Sequence, residues 1–416
     1  MKILVISNLF PPHVLGGYEI LCGQVCNELQ LRGHSITVLT STHGLEANPR
    51  SSESTGVYRT LQLYLPFDQP ARLMRTRRWN IGRQNYIETR KILKHERPDL
   101  IFIWSQLRLT LGAARAAQDS GIPVAFTLND EHIAGYLPSP FGWSPKTFLR
   151  YLADHWVFPS ITLRGLQLKE STCISQRLQT NLVALGVPVS SSEVIYQGIP
   201  LERFPCKENL GEIGSPVRIL YVGQLHPYKG VHTLLEAVGQ IARRSDRTGD
   251  PSTGPQIHLT VVGTGPENYI RKLSEIARSI PAEIHFAGKL SHEELPEIYR
   301  SHHIFVFPSI WQEPFGLTHL ESMASGTTVI STAEGGQGEF LEHGQNALVF
   351  QKEDSKELAC HLGRLLSEPG LSFRLARQAR FMVEEQFSLQ KYVSRLEEFL
   401  RAVAVRRVGK QSGAGG

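Results

Sequence analysis

Short apolar segments alternate with helix-length stretches along this 416-residue chain, and that alternation constrains the fold more than any other feature. Strand candidates in the first half are residues 2–7, 35–40, 57–65, 99–104, 124–128, 172–175 and 194–196. Residues 217–222, 258–262, 283–287, 305–307 and 329–332 continue the series. Strands that read as near-continuous apolar runs, joined by helices, make a mostly parallel sheet covered on both faces. One core rarely grows past about 250–300 residues, so the expectation is α/β with two such domains. Residues 205–216, PCKENLGEIGSP, have the composition of a linker. They divide an N-terminal domain, 1–204, from a C-terminal domain, 217–386. Leu389, Tyr392, Val393, Leu396, Phe399 and Leu400 mark an amphipathic helix over 387–404. Residues 241–256 read as a surface insertion and 405–416 as a disordered tail.

Composition narrows the function. A hydrophobic content of 41% with 20% charged residues is that of a globular protein. No apolar run reaches the ~18 residues of a membrane span, and the opening MKILVISN reads as a strand rather than a leader. Five scattered cysteines fit reduced thiols and a cytoplasmic location, with Cys22 and Cys26 read as core. A net charge of +5 is too mild to argue for nucleic acid, but it suits an anionic donor, acceptor or membrane surface. A lone Gly263-Thr264-Gly265 is too short for a dinucleotide fingerprint, which argues against a Rossmann dehydrogenase.

The densest local grammar is FVFPSIWQEPFGLTHLESMASG, 305–326. It reads as a buried strand, a loop carrying Glu313, and a helix carrying Glu321, with Pro314 in the first turn and Gly326 at the end. Leu317, Leu320 and Ala324 recur at three and four residues and form the inward face. Both carboxylates are then expected at one rim, beside helix-terminal N–H groups suited to an anion. The competing reading is two solvated surface acids.

Glu313-Pro314-Phe315-Gly316 followed by Glu321 resembles the E-x7-E signature of glycosyltransferase family 4, and similarity runs from about 2 to 402. The resemblance implies a GT-B architecture: two Rossmann-like domains facing across a cleft, with the last helix crossing back to the first domain. It also implies a retaining transfer of sugar from a nucleoside diphosphate sugar, UDP or GDP type, to an acceptor hydroxyl. In that family the leaving phosphate takes the acceptor proton, and no metal or other cofactor is needed. Glu313 would touch the donor sugar, with Phe315, Gly316 and Leu317 beside it, and Glu321 the ribose. Gly16-Gly17, before a helix over 18–31, resembles the glycine loop that faces the donor diphosphate. Gly223-Gln224-Leu225-His226-Pro227-Tyr228-Lys229-Gly230 resembles the diphosphate loop, where Lys229 would neutralise the leaving phosphate and Gln224 stands where most relatives carry arginine. The loop Gly288 to Leu290 would receive the base.

Relatives often carry His-Asp after the strand at 124–128; here Asn129 holds the histidine's place, followed by Asp130 and, three residues on, His132. Asp130 and His132 are the catalytic candidates of the N-terminal half, with a helix-capping Asp130 the ordinary alternative. Residues 71–97 are the most basic stretch, with Arg72, Arg75, Arg77, Arg78 and Arg83 interleaved by Trp79. They read as an acceptor or anionic-membrane patch, placing the protein at the inner face of a membrane, or else as a solvated helix face. Three rivals to a transferase stand: a dehydrogenase, another GT-B chemistry such as a phosphorylase or epimerase, and a catalytically silent subunit supporting a partner enzyme.

Overall fold

The computed structural model describes residues 1–44, 56–65, 75–245 and 255–412. Arg72, residues 246–254 of the insertion and residues 413–416 lie outside the described residues. The chain divides into two compact units, Met1–Tyr196 with Tyr392–Gly416, and Gln197–Lys391.

The first unit is built from β1 (Lys2–Ile6), α1 (Gly17–Leu31), β2 (Ser35–Ser41), β3 (Val57–Leu61), α2 (Arg75–Glu96), β4 (Leu100–Ile103), α3 (Gly112–Asp119) and β5 (Val124–Leu128). A 3-10 turn, Glu131–Tyr136, leads to α4 (Pro145–Leu152), β6 (Ser171–Cys173), α5 (Gln176–Ala184) and β7 (Glu193–Val194). Every strand pairing is parallel, in the order β3-β2-β1-β4-β5-β6-β7. The central strands are buried along their length, because helices cover both faces, whereas edge strand β3 is only half-buried. The basic helix α2 docks through Ile81, Asn85, Thr89 and Leu93, a four-residue repeat. Two of those four are polar, and Asn85 answers by pairing its amide with the Gln62 backbone N–H and C=O at 2.8 and 2.9 Å.

The second unit comprises β8 (Val217–Val222), α6 (Val231–Ser245), β9 (Ile257–Val262), α7 (Glu267–Arg278), β10 (Glu283–Gly288), α8 (Leu295–Ser301), β11 (Ile304–Phe307), α9 (Leu317–Ala324), β12 (Thr328–Ser331), β13 (Leu348–Val349), α10 (Ser355–Ser367) and α11 (Leu371–Gln386). Its sheet is also parallel, ordered β10-β9-β8-β11-β12-β13. Residues 205–216 form no helix or strand and belong to this unit. They are packed rather than free, since a side chain on Gly211 would collide with the backbone of Phe373.

The last helix, α12 (Leu389–Ser412), begins in the second unit and joins the first from Tyr392. There Glu397 meets Arg32 at 3.2 Å and His34 at 2.9 Å. These bonds hold the Glu397 carboxyl down at about 2 even though its burial works the other way. The helical backbone of α12 runs to Ser412. No helix among the described residues is long and apolar enough to cross a membrane.

Candidate functional site

In the second sheet, β8 and β11 are neighbours at the point where strand order reverses, with β9 and β10 on one side and β12 and β13 on the other. Crevices that take ligands form beyond the carboxyl ends of strands at such a point. Two loops leave those ends: 223–230 after β8 and 308–316 after β11. Gly230 lets them meet. Its φ is +69°, and any Cβ there would strike the Pro308 carbonyl. The Tyr228 carbonyl then accepts from the Ile310 and Trp311 N–H groups at 2.9 and 3.2 Å.

This docking brings Lys229 onto Glu313. The Lys229 Nζ lies 2.7 and 2.8 Å from the two Glu313 carboxylate oxygens, and the Ser309 hydroxyl donates to Oε1 at 2.6 Å. Both partners are buried. Such a pair survives desolvation only with close geometry and further hydrogen bonds, which Ser309 supplies. Lys229 also sits 4.8 Å from the centre of the Trp311 ring, a cation–π contact. The Glu313 backbone is pinned from behind. Its carbonyl accepts from Gly336 N–H at 2.7 Å, and a Cβ on Gly335 would overlap the Glu313 main chain.

Lys229 directs two of its three ammonium protons at Glu313, which leaves one for an anion. Each carboxylate oxygen can accept twice, so Glu313 keeps capacity for hydroxyl donors. The arrangement thus offers a fixed cation and a fixed acceptor side by side.

Glu321 is placed differently from the expectation of a rim residue. It is buried in α9, where the Tyr299 hydroxyl donates to its Oε2 at 3.0 Å. Burial pushes its carboxyl up to about 7, against the pull of Tyr299 and Arg203. Pro314 precedes the helix rather than opening it; α9 starts at Leu317, after Gly316 with φ +131°. Leu320 and Ala324 are fully buried and Phe315 nearly so, while Leu317 is half-buried. His319, unmarked in the sequence, is entirely buried against the Ser331 hydroxyl at 2.8 Å, and burial drives its imidazole down to about 3.

Gln224 is exposed at the mouth of the β8 loop. Its carbonyl accepts from Tyr221 OH at 2.8 Å, while its side chain has only a 3.5 Å contact with Tyr228 OH. Gly288 ends β10 with φ +70° and has no atom near a would-be Cβ. Leu290 follows in the same loop, half-buried.

The first sheet has its own reversal at β1 and β4. Beyond β1, Gly16 precedes α1, with Gly17 as its first residue, and the Gly16 N–H donates to the buried Glu19 carboxylate at 2.8 Å. Beyond β5, the Asn129 amide donates to the Trp104 carbonyl at 2.7 Å. Asp130 caps the 3-10 turn by accepting from His132 N–H at 2.8 Å. The His132 ring lies 3.3 Å from Tyr64 OH and 3.4 Å from the Arg108 N–H. Burial, then the charges of Arg78 and Arg108, lower it to about 4, so it is neutral near pH 7. Arg108 itself holds φ +57°, sparsely populated for a residue with a side chain.

Two arginines of the basic stretch are engaged within the unit. Arg75 is closed off by Asp154 at 2.8 and 3.2 Å. Arg78 turns over the Tyr136 and Tyr64 rings, 4.4 and 5.2 Å from their centres, and its buried Nε and Nη2 have no hydrogen-bond partner among the described residues. Arg77 and Arg83 are exposed, and Trp79 leans on Phe158 with ring centres 6.4 Å apart.

Two family models together match most of the chain: Glycosyltransferase Family 4 over 15–203, and Glycosyl transferases group 1 over 205–382. The chain belongs to the family 4 glycosyltransferases. Its GT-B fold is shared with solved members of the class. A crystal structure of Anabaena HepE in complex with UDP and glucose superposes with a TM-score of 0.70 at 20% identity, covering 97% of this chain and all of that one. Glycogen synthase of Mycobacterium tuberculosis is 26% identical over 407 residues, 94% of this chain and 92% of its own length. A GDP-mannose-dependent α-(1-6)-phosphatidylinositol monomannoside mannosyltransferase of the same organism is 23% identical over 417 residues, 96% of this chain and 98% of its own. Of the residues this glycosyltransferase was expected to use, Lys229 and Glu313 are in direct contact. Glu321 sits four positions into α9, bonded to a tyrosine that no motif announced.

Proposed function

We propose that this glycosyltransferase moves a sugar from a nucleoside diphosphate sugar, of UDP or GDP type, to an acceptor hydroxyl with retention at the anomeric carbon. The observation that carries the reading is the buried Lys229–Glu313 pair at the switch point of the second sheet. As the bond between anomeric carbon and phosphate oxygen breaks, negative charge grows on the diphosphate and positive charge on the sugar ring. A fixed ammonium and a fixed carboxylate held 2.7 Å apart answer both without reorganising. Lys229 steadies the leaving phosphate, and Glu313 accepts from the sugar hydroxyls and orients the ring. That phosphate takes the acceptor's proton as the acceptor oxygen attacks from the same face. A fixed cation at the phosphates does the work a divalent metal does elsewhere, so the reaction is metal-independent. Glu321 and the loop Gly288 to Leu290 hold the ribose and base.

Acceptor recognition belongs to the first unit. The Arg78 guanidinium rests on two tyrosine rings with no carboxylate partner among the described residues, next to neutral His132. An acceptor carrying a negative group beside its hydroxyl fits that cation. The test is a panel of UDP- and GDP-sugars with neutral and phosphorylated acceptors, run in chelator and read by nucleotide release and by NMR of the product's anomeric centre. Retained configuration and chelator resistance are expected. Inverted product, or activity restored only by Mn²⁺ or Mg²⁺, contradicts the reading, and a donor that binds without turnover identifies a silent subunit.

A further inference from the structure

The segment between the 3-10 turn at 131–136 and β6 breaks the rule that a helix buries one face. Helix α4 is properly made: Ser144 caps it, accepting from Thr147 N–H at 3.2 Å, and Pro145 occupies its first turn. Yet none of its residues is buried. Over residues 141–157 six large apolar side chains are exposed: Phe141, Trp143, Phe148, Leu149, Trp156 and Val157. Trp143 is 93% exposed and Trp156 73%. Phe141 gathers part of this face, with ring centres 5.3 Å from Trp143, 6.0 Å from Phe148 and 5.5 Å from Tyr151.

The face is mounted firmly. A π-helical turn, Ala153–Val157, follows α4 and points Asp154 back into the unit, where Arg75 and the Ser139 N–H and hydroxyl hold its carboxylate. That pairing removes the one negative charge between 139 and 165, leaving Lys146, Arg150 and Arg164 exposed.

We propose that residues 141–157 form a docking surface for the interfacial zone of an anionic lipid bilayer. Tryptophan and phenylalanine beside basic side chains match that zone, where rings sit at the level of the headgroups and Lys or Arg meets lipid phosphate. Charge argues against a second copy of the chain as the occupant. A two-fold contact centred on this face would crowd the Lys146 and Arg150 of both copies into one seam with no acidic side chain from 141–157 free to answer them. With no helix among the described residues long and apolar enough to span, the mode is lying on the surface. This anchor does not depend on the proposed reaction.

The test is flotation of the full chain with phosphatidylcholine vesicles and with vesicles containing phosphatidylglycerol, alongside tryptophan emission. The chain should float with the anionic vesicles at low salt, with a blue shift. Trp143→Ser/Trp156→Ser should lower partitioning at least tenfold, and Lys146→Glu/Arg150→Glu should do the same. Leu31→Ser, at an apolar side chain 83% exposed elsewhere in the unit, should change nothing. Because the altered residues are exposed, thermal melts of all variants should match wild type. Equal recovery on neutral and anionic vesicles, or binding that survives both double variants, overturns the proposal. So does a wild-type dimer that ignores vesicles and becomes a monomer when the tryptophans are removed.

Discussion

The two sheets share a strand order through their first six strands, 3-2-1-4-5-6, yet the groups gathered beyond their strand ends differ in electrostatic character. In the second unit the loops close on a buried ion pair, Lys229 with Glu313. In the first, the turn beyond β5 places a neutral His132 and an Asn129 bonded to a main-chain carbonyl, near Arg78 of α2, which rests on tyrosine rings. A common scaffold therefore sets where ligands go, and loop residues set which charges they meet. The proposed donor chemistry, which separates charge, is assigned to the place where opposite charges are fixed together. The first unit also carries the exposed aromatic face at 141–157.

The contrast can be broken most severely at Glu313. Removing its carboxylate leaves Lys229 buried without a partner, so Glu313→Ala should lose about 3–5 kcal/mol of stability as well as turnover. Denaturant melts read the first effect and nucleotide release the second. Lys229→Met/Glu313→Leu removes both charges and should regain most of the stability while staying inactive. No equivalent change at His132 should approach this loss, because no ion pair is broken there.

Glu321 sharpens the comparison through pH. Its folded-state pKa of about 7 lies above the usual 4.5, so the folded protein favours the protonated carboxyl. The associated stability is fully present below about pH 4.5 and is lost as pH rises through about 7, by up to ~3 kcal/mol. The stability gap between wild type and Glu321→Gln should therefore shift with pH across that window in favour of the glutamine. A gap that stays constant from pH 4.5 to 8 would show that Glu321 ionises as freely as a solvated acid. The same variant should weaken nucleotide binding more than it slows turnover.

A smaller effect is expected at Gln224, exposed at the mouth of the β8 loop. Gln224→Arg adds a charged donor beside Lys229 and should strengthen diphosphate binding by about 1–3 kcal/mol, more so at low salt. Calorimetry with UDP and GDP reads it. Unchanged affinity would mean that the side chain at 224 does not face the phosphates.

Much of this was legible in the sequence because it is local. The apolar runs of β5 and β8 match the strands expected at 124–128 and 217–222. The Glu313 loop could be read because proline, glycine and glutamate at fixed spacing specify a strand-to-helix turn. What escaped depends on distant residues. Tyr299 reaches Glu321 from α8, and no periodicity links them. Lys229 and Glu313, 84 positions apart, were separate candidates until the closeness permitted by Gly230 joined them. In the basic stretch, charge count alone does not show that Arg75 faces Asp154 or that Arg78 turns onto Tyr136. The aromatic face had a signal, FGWSPKTFLRYLADHWVF, but apolar density reads first as core, and only the fold shows that six of its large apolar side chains are exposed.

The central claim is that the Lys229–Glu313 pair is the donor-handling centre. Its most direct test is nucleotide release from a panel of UDP- and GDP-sugars, in chelator, by wild type and by Lys229→Met/Glu313→Leu. Melts run alongside confirm that the variant is folded. Wild type should release nucleotide from at least one donor, and the folded double variant should fall to background. A folded double variant that releases nucleotide at the wild-type rate would contradict the account.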